Sequence, residues 1–230
     1  MKGIELVVFD IAGTTVRDNG NVAKAFLDAC KTFGYTIEKE EVQHVMGFRK
    51  IDAIRMLLDK FYPDLDNKDE QIEKIHEAFT RNMINFYESD AVLQPLPFAE
   101  DIFIWLKKKG VKLALNTGFT KPITDTILKR LEWKSGSTID YVISSDETPH
   151  GRPYPDMINA IMQKLDISDP AAVAKVGDTE VDVEEGRHAQ CGLVISVTTG
   201  AYSRKKLEQY HPDYIIDSLS ELPTIIESIQ

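Results

Sequence analysis

Residues 6–15 read LVVFDIAGTT, and this stretch indicates both the fold and a chemical site. Its first four residues are apolar, which is typical of a buried strand in a parallel sheet. Asp10 follows at the carboxyl end of this predicted strand, where open α/β sheets place their ligands, and a glycine and two hydroxyl side chains come soon after it. Asp10 is therefore a candidate nucleophile, although an aspartate that only begins a turn would give the same local pattern.

The length, charge and cysteine content argue against several classes of protein. A chain of 230 residues suits one large domain or two modest ones. The formal net charge of −10 argues against a nucleic-acid partner, which would require a basic face. The two cysteines, Cys30 and Cys191, do not make a disulfide framework. No apolar run reaches transmembrane length, so we expect a cytoplasmic protein without a membrane partner.

A helical pattern occupies the region after the first strand. Between Val22 and Tyr87, apolar residues recur at helical spacing, and no segment has a convincing strand pattern. Glycines and a proline separate the predicted helices. We interpret residues 17–90 as a helical cap domain.

Strands and helices alternate from Ala91 onwards. The predicted strands cover residues 111–115, 140–143, 171–176, 193–197 and 214–216. Such alternation implies parallel strands joined by helical crossovers, and the first strand should belong to the same sheet. The predicted fold class is therefore α/β, with a doubly wound parallel-sheet core formed by residues 1–16 and 91–230 and a helical cap domain inserted between these two parts.

Polar residues follow three of the predicted strands, at Asp10, Thr117 and Asp178. Strand ends of a parallel sheet converge on one crevice, so these side chains should lie close together. Arg152 precedes a helix that follows another strand, and it can reach the same edge. Asp182 comes four residues after Asp178, so both can face one way if the segment is helical.

This combination of residue types predicts a phosphoryl-transfer site. Asp10 and Asp178 supply the hard oxygen ligands that Mg²⁺ prefers. Thr117 and neighbouring backbone amides can bind phosphate oxygens, and Arg152 can balance the negative charge of the transferring group. Each of these predicted site residues, taken alone, is also explained by an ordinary structural role as a turn residue, a surface charge or a polar helix position.

The motifs of the chain resemble those of the haloacid dehalogenase (HAD) superfamily, in order and over the whole length. Asp10 begins the first motif, Thr117 the second and Arg152 the basic third, and Gly177-Asp178 with Asp182 forms the fourth. The resemblance implies that Asp10 attacks phosphorus to give an aspartyl-phosphate, which water then hydrolyses.

The same resemblance implies a magnesium site. Mg²⁺ would be held by Asp10, by the backbone carbonyl of Ala12 and by Asp178, with Asp182 supporting the site. Most phosphatases of the superfamily carry a second aspartate two residues after the nucleophile, which protonates the leaving oxygen. Here that position is Ala12, and loss of a general acid/base costs on the order of 10²–10⁴ in rate for an ester with a poor leaving group.

One branch of the superfamily, the phosphonoacetaldehyde hydrolases or phosphonatases, is similar to this chain at that position. Members share the Asp-x-Ala-Gly-Thr-Thr opening and a Met-Gly-x-x-Lys segment, which is Met46 to Lys50 here. The resemblance implies that Lys50 forms a Schiff base with a substrate aldehyde, which requires a lowered lysine pKa. The implied substrate-binding residues are Thr14, Met46, Arg49, Thr117, Gly118 and Arg152.

Three positions depart from the phosphonatase pattern and leave alternatives open. Ala53 replaces a histidine of the branch, Phe119 replaces a tyrosine, and the loop 16–20 lacks the branch's cysteine. The leading hypothesis is a Mg²⁺-dependent hydrolase of a small phosphonate or phosphate metabolite, with phosphonoacetaldehyde-type C–P cleavage preferred. The alternatives are a phosphomonoesterase of the phosphoglycolate or sugar-phosphate type, and a binding protein that has lost activity. By family analogy, the helix at 22–33 could pair two copies in a homodimer.

Overall fold

A six-stranded parallel sheet forms the centre of the protein in the computed structural model, which describes residues 3–89 and 93–229. The order across the sheet is β3-β2-β1-β4-β5-β6, and every neighbouring pair is parallel. The strand bounds are β1 Leu6–Phe9, β2 Lys112–Thr117, β3 Tyr141–Ser144, β4 Val173–Gly177, β5 Leu193–Val197 and β6 Tyr214–Ile216. The predicted α/β fold with a doubly wound parallel sheet is confirmed.

Strand β1 lies at the point where the strand order reverses. In the register of the sheet, Phe9 pairs with Leu115 of β2 on one side and with Val176 of β4 on the other. The residues that follow these positions therefore come together at the carboxyl edge of the sheet, which is where doubly wound folds bind ligands. This register brings Asp10, Thr117 and Asp178 to one place.

Alternate side chains of β1 pack on opposite faces of the sheet. Val7 and Phe9 belong to the larger hydrophobic cluster, in which the Phe9 ring lies 5.9 Å from the ring centroid of Phe103. Leu6 and Val8 belong to the cluster on the other face. Both faces are covered, which explains why the strand is an unbroken apolar run.

Helices surround the sheet and also form a separate group after β1. We call this group the helical block: α1 Asn21–Thr32, α2 Lys39–Gln43, α3 Lys50–Phe61 and α4 Lys68–Ser89. The remaining helices are α5 Ala99–Lys108, α6 Lys121–Arg130, α7 Asp156–Lys164, α8 Glu180–His188, α9 Arg204–Leu207 and α10 Leu222–Ile229. None of the helices in residues 3–89 and 93–229 is long and apolar enough to cross a membrane.

The chain enters and leaves the helical block through two adjacent segments. The Leu96 N–H donates to the Thr15 carbonyl at 2.8 Å, and the Arg17 N–H donates to the Gln94 carbonyl at 3.2 Å. Such paired connections suit a domain inserted near residue 17. The other predicted boundary, between residues 90 and 91, lies outside the described residues, so the division at 17–90 stays a prediction.

One strand begins later than its sequence pattern predicts. The pattern starts at residue 171, but Pro170–Ala172 form a turn of 3₁₀ helix, and β4 begins at Val173. The Asp169 carboxylate accepts a hydrogen bond from the Ala171 N–H and holds this turn. Apolar alanines within the turn made it look like part of the strand.

Candidate active site

A small cavity of about 20 Å³ lies between the carboxyl edge of the sheet and the helical block. This volume is close to what a single water molecule needs. The sheet side is lined by Asp10, Ala12, Thr117, Gly118, Phe119, Asp178, Thr179 and Ala201, and the opposite side by Asp18, Val22, Met46, Gly47 and Lys50. Most of the residues predicted for the site therefore meet at one cavity.

Asp10, the predicted nucleophile, is held at the end of β1 by its backbone and by an arginine. Its N–H donates to the Val176 carbonyl at 2.9 Å, which continues the ladder one residue past the strand. The residue is only 5% exposed, and Oδ1 accepts a hydrogen bond from Arg152 Nη1 at 2.7 Å. Burial raises the pKa of Asp10, and the charge of Arg152 opposes this rise.

The turn after Asp10 requires a glycine at position 13, and the hydroxyl groups of Thr14 and Thr15 both form hydrogen bonds there. Gly13 has a φ of +90°, and a Cβ there would lie 2.8 Å from both Asp178 Oδ2 and the Gly200 Cα. The Thr14 hydroxyl donates to Asp178 Oδ1 at 3.3 Å. The Thr15 hydroxyl donates to the Asp10 carbonyl at 3.0 Å. Thr14, predicted to bind substrate, is therefore hydrogen-bonded to a second site residue.

Asp178 is a second buried carboxylate beside Asp10. Its Oδ2 accepts a hydrogen bond from the Ala201 N–H at 2.6 Å. Burial raises the pKa of Asp178, and the negative charges of Asp10 and Asp182 raise it further. The site thus concentrates negative charge that a bound cation would offset.

Arg152 lies fully buried beneath the cavity, among polar and acidic groups. Its Nη2 donates to the Asn116 backbone carbonyl at 2.7 Å and to Asn116 Oδ1 at 2.9 Å. Nη1 lies 3.0 Å from Asp182 Oδ1, and Nε lies 3.2 Å from Glu185 Oε2. Burial opposes the positive charge, but the carboxylates of Asp182, Asp10 and Glu185 outweigh it and raise the pKa of Arg152. The guanidinium therefore stays charged and holds the Asp10 side chain in place.

Three further residues complete this network, and the motif analysis gives none of them a role in the site. Lys175 Nζ donates to Asn116 Oδ1 at 2.6 Å and lies 3.0 Å from Glu185 Oε2. The Asn116 side-chain amide donates to Glu185 Oε1 at 2.8 Å. One signal is visible in the sequence: Lys175 is a charged residue inside an apolar strand, where it requires a buried partner. The partners come from distant parts of the chain.

Asp182 lies at the start of α8, as the helical interpretation of this segment predicts. It accepts hydrogen bonds from the Thr179 hydroxyl at 2.6 Å and from the Thr179 N–H at 3.2 Å. Its Oδ1 also lies 3.1 Å from Lys175 Nζ. Burial acts to raise the pKa of Asp182, but the charges of Arg152 and Lys175 outweigh it and lower that pKa. Asp182 is thus an ionised group behind the cavity wall.

Lys50, at the first position of α3, is 4% exposed and lines the cavity. Its Nζ donates to the Phe48 carbonyl at 3.0 Å and lies 5.7 Å from the centroid of the Phe119 ring. Burial lowers the pKa of Lys50 to about 8, despite the opposing effect of nearby carboxylates, of which Asp10 is the largest. About a tenth of the amine is therefore neutral at pH 7, far more than for an ordinary lysine.

The loop before Lys50 lies directly against the sheet side of the site. Gly47 has a φ of +86°, and a Cβ there would overlap with the Thr179 hydroxyl and lie 2.5 Å from the Val181 Cγ2. A Cβ at Gly118 would lie 2.5 Å from the Phe48 carbonyl oxygen. Glycine is thus required on both sides of the contact that brings Lys50 to the cavity.

Arg49, predicted to bind substrate, lies outside the cavity. Its Nη1 donates to the Pro149 carbonyl at 3.2 Å, and its side chain packs over Gly151. It lines a neighbouring groove together with His150, whose Nδ1 lies 2.9 Å from Asp156 Oδ2. Arg49 therefore contacts the loop that precedes Arg152.

Thr117 and Gly118 line the cavity at the end of β2. The Thr117 hydroxyl oxygen accepts a hydrogen bond from the Phe119 N–H at 3.2 Å. A hydroxyl that accepts one bond can still donate another, so it can bind a phosphate oxygen.

The donor set of the cavity fits Mg²⁺. Residues 3–89 and 93–229 contain no group of three or more histidine, cysteine, aspartate or glutamate side chains placed to hold a metal. Mg²⁺, however, is usually bound by one or two carboxylates, with water and substrate oxygens completing its shell. Asp10 and Asp178 supply two such carboxylates, and burial raises the pKa of both.

Comparison with known proteins identifies relatives that cover the whole chain. The family model described as haloacid dehalogenase-like hydrolase matches residues 7–196. The chain is 32% identical to phosphonoacetaldehyde hydrolase from Bordetella pertussis, over 99% of this chain and 92% of the relative. Among solved structures, the phosphonoacetaldehyde hydrolase-like protein from Oleispira antarctica superposes with a TM-score of 0.81 at 23% identity, covering 99% of this chain and 93% of that one. A Lactobacillus delbrueckii protein provisionally named phosphoglycolate phosphatase superposes with a TM-score of 0.77 at 18% identity. The superposition covers 98% of this chain and 99% of that one.

Proposed function

Since the chain belongs to the haloacid dehalogenase-like hydrolase family, we propose that it cleaves the C–P bond of a small phosphonate aldehyde such as phosphonoacetaldehyde. The observation that carries this proposal is Lys50, a buried lysine with a lowered pKa in the same cavity as Asp10. Relatives named phosphonoacetaldehyde hydrolase, at about 30% identity over the full chain, support the same substrate class.

In the proposed reaction, Lys50 prepares the substrate and Asp10 accepts the phosphoryl group. The neutral amine of Lys50 attacks the aldehyde carbon, water leaves, and a protonated imine forms. Asp10 then attacks phosphorus, and the electrons of the C–P bond move into the imine to give an enamine. Water hydrolyses the aspartyl-phosphate. A proton from solvent adds to the enamine carbon and regenerates the protonated imine, and hydrolysis of this imine releases acetaldehyde and restores the lysine.

The remaining site residues orient the reacting groups and balance charge. Arg152 holds the Asp10 carboxylate through the 2.7 Å hydrogen bond, and Thr117 and Gly118 would bind phosphoryl oxygens. Mg²⁺ would be held by Asp10, the Ala12 carbonyl and Asp178. Asp182, which lies behind the cavity wall, would support this metal site. When bound, Mg²⁺ offsets the charge of the transferring group.

The alanine at position 12 is consistent with this chemistry. An ester substrate needs an acid to protonate its leaving oxygen, and Ala12, which lines the cavity, cannot do this. An imine accepts the electron pair of the broken C–P bond itself, so the leaving group needs no acid at that position.

Incubation with Mg²⁺ and phosphonoacetaldehyde, with and without borohydride, tests the proposal. We expect release of phosphate and acetaldehyde, and inactivation by borohydride because it reduces the imine at Lys50. Both effects should be lost in Lys50→Ala, and turnover should be lost in Asp10→Ala. Lys60→Ala is the matched control, because Lys60 is an exposed lysine on the same helix. Hydrolysis of phosphate esters that depends on Asp10 but not on Lys50, with no borohydride effect, would refute C–P cleavage.

A phosphomonoesterase of the phosphoglycolate or sugar-phosphate type is the second candidate. The observation in its favour is Phe119, which lines the cavity and packs against Phe79 at a ring-centroid distance of 6.5 Å. This wall therefore lacks the tyrosine hydroxyl that the phosphonatase pattern provides for the aldehyde. Assays with phosphoglycolate and sugar phosphates, run beside the phosphonate, discriminate the two candidates.

A further inference from the structure

The cavity contains a third carboxylate, Asp18, which the proposed function does not use. Asp18 lies in the loop between β1 and α1 and lines the cavity together with Lys50. Its Oδ1 accepts hydrogen bonds from the N–H groups of Asn21, at 2.8 Å, and Val22, at 3.3 Å, at the start of α1. Within the part of the chain that the structure describes, these bonds leave Oδ2 free of a hydrogen-bond donor.

The charge of Asp18 acts directly on the lysine. Burial and the charge of Arg152 lower the pKa of Lys50, whereas the negative charges of Asp10, Asp18 and Asp178 raise it. Asp18 is thus one of the acidic groups close enough to Lys50 to raise its pKa.

The other two carboxylates that line the cavity already have hydrogen-bond partners and predicted roles. Asp10 accepts a hydrogen bond from Arg152 and is the predicted nucleophile. Asp178 accepts hydrogen bonds from Thr14 and from the backbone at residue 201, and it is a predicted metal ligand. Among the described residues that line the cavity, Asp18 is the remaining carboxylate.

We propose that Asp18 is the acid–base residue for imine formation at Lys50, an inference that rests on the proposed function. Imine formation needs a group that removes a proton from the ammonium and later protonates a departing hydroxyl. Asp18 lies on the Lys50 side of the cavity, and one of its oxygens is held by α1 while the other is free to exchange protons.

Asp18 is the only acid–base residue that this step requires, because it takes up one proton and later releases one. Ionised Asp18 takes the proton of the Lys50 ammonium through one water molecule, since the two groups are not in direct contact, and the neutral amine then forms a C–N bond with the aldehyde carbon. A proton moves from nitrogen to the former carbonyl oxygen, which gives a carbinolamine. Protonated Asp18 donates its proton to this hydroxyl, the C–O bond breaks and water leaves. The products are a protonated imine and an ionised Asp18.

Single-turnover trapping by borohydride, with phosphonoacetaldehyde and Mg²⁺, measures this step in Asp18→Asn and in the wild type. The asparagine side chain can still accept hydrogen bonds from the N–H groups at the start of α1, so the thermal unfolding temperature should be unchanged. We expect trapping to slow on the order of 10²–10⁴-fold because the amide cannot transfer a proton. Removal of the charge would by itself lower the pKa of Lys50 and favour the neutral amine, so it would not slow the attack of the amine on the aldehyde.

Two further variants separate catalysis from helix capping. Asp28→Asn makes the same change on the exposed face of α1, where Asp28 pairs with Lys24, and should trap at the wild-type rate. Asp18→Ala removes both the proton-transfer group and the acceptor at the helix start. Wild-type trapping rates in Asp18→Asn, with a defect only in Asp18→Ala, would reduce Asp18 to a capping residue and overturn the proposal.

The same experiment distinguishes failure of this inference from failure of the proposed function. If the wild type itself gives no trapped adduct and no turnover of the phosphonate, the imine mechanism is wrong, and the role of Asp18 is refuted with it. If the wild type traps and Asp18→Asn traps equally fast, only the role of Asp18 is refuted.

Discussion

Lys50 and Lys175 are both buried lysines near the same site, but their surroundings differ. Lys175 Nζ lies 3.1 Å from Asp182 and 3.0 Å from Glu185, so its charge is paired at contact distance. Lys50 Nζ instead contacts the Phe48 carbonyl and lies near an aromatic ring. A buried ammonium that lacks a carboxylate at contact distance loses its proton more readily. Lys175 therefore suits a structural role, and Lys50 suits nucleophilic chemistry.

The pKa of Lys50 predicts the pH dependence of imine formation. In the proposed mechanism, Lys50 and Asp18 share one proton, which is needed to release the hydroxyl as water. Because the pKa of Lys50 is lowered to about 8, this proton is lost above about pH 8, so borohydride trapping should be level below that value and fall about tenfold per pH unit above it. Rapid-quench trapping between pH 6 and pH 10 measures this profile. A level rate that continues to the ordinary lysine pKa of 10.5 would contradict the buried position of the side chain.

At the scale of elements, close contact between the loop before α3 and the strand ends builds the site. The Gly47 backbone lies against Thr179, and the Phe48 carbonyl lies against Gly118. Both contacts are too close for a side chain. The position of Lys50 therefore depends on glycines in two elements that are far apart in sequence.

Substitution Gly47→Ala tests the importance of this contact for activity. The new Cβ would collide with Thr179 and Val181, so the loop should be displaced and kcat/KM should fall more than tenfold. Gly34→Ala is the control, because Gly34 has a similar φ of +84° and no heavy atom of the described chain lies within 4 Å of its Cβ position. Both variants should lose about 1 kcal/mol of stability through backbone strain. Equal values of kcat/KM in the two variants would show that the contact of Gly47 with Thr179 and Val181 is not needed for activity.

For the whole molecule, the small cavity predicts that the helical block moves during turnover. The free volume between the sheet edge and the block is about 20 Å³, so we expect the block to move away from the sheet when a phosphonate enters. The two paired segments near Arg17 and Gln94 connect the block to the sheet, and we expect the hinge to lie there. Closure then excludes water from the imine and the aspartyl-phosphate.

Homodimer formation through α1 stays a prediction. The helix packs inward through Phe26, whose ring lies 5.7 Å from that of Phe79. Its outward face carries the exposed Lys24–Asp28 ion pair. A dimer interface on this face would be polar, and sedimentation velocity measures whether it forms.

Ligand-induced stabilisation tests the aspartyl-phosphate and the magnesium site together. Beryllium fluoride with Mg²⁺ mimics a phosphorylated aspartate, and a ligand at about 100 times its Kd stabilises the folded state by about 2.7 kcal/mol. In a chain of this size, that raises Tm by about 5–10 °C. Differential scanning calorimetry should show this rise in the wild type and its loss in Asp10→Ala or after chelation of Mg²⁺. The same rise in Asp10→Ala would place the fluoride complex elsewhere.

The fold and the central acidic residues were predictable because their signals are local. Apolar runs and helical periodicity identify strands and helices, and a parallel sheet must bring the strand ends at Asp10, Thr117 and Asp178 together. Only the tertiary structure decided that Lys50 is buried in the cavity, that Arg49 lies outside it and that Asp18 lines the same cavity as Lys50. Desolvation and Coulomb interactions depend on distances between residues that lie far apart in the chain, and no local pattern records those distances.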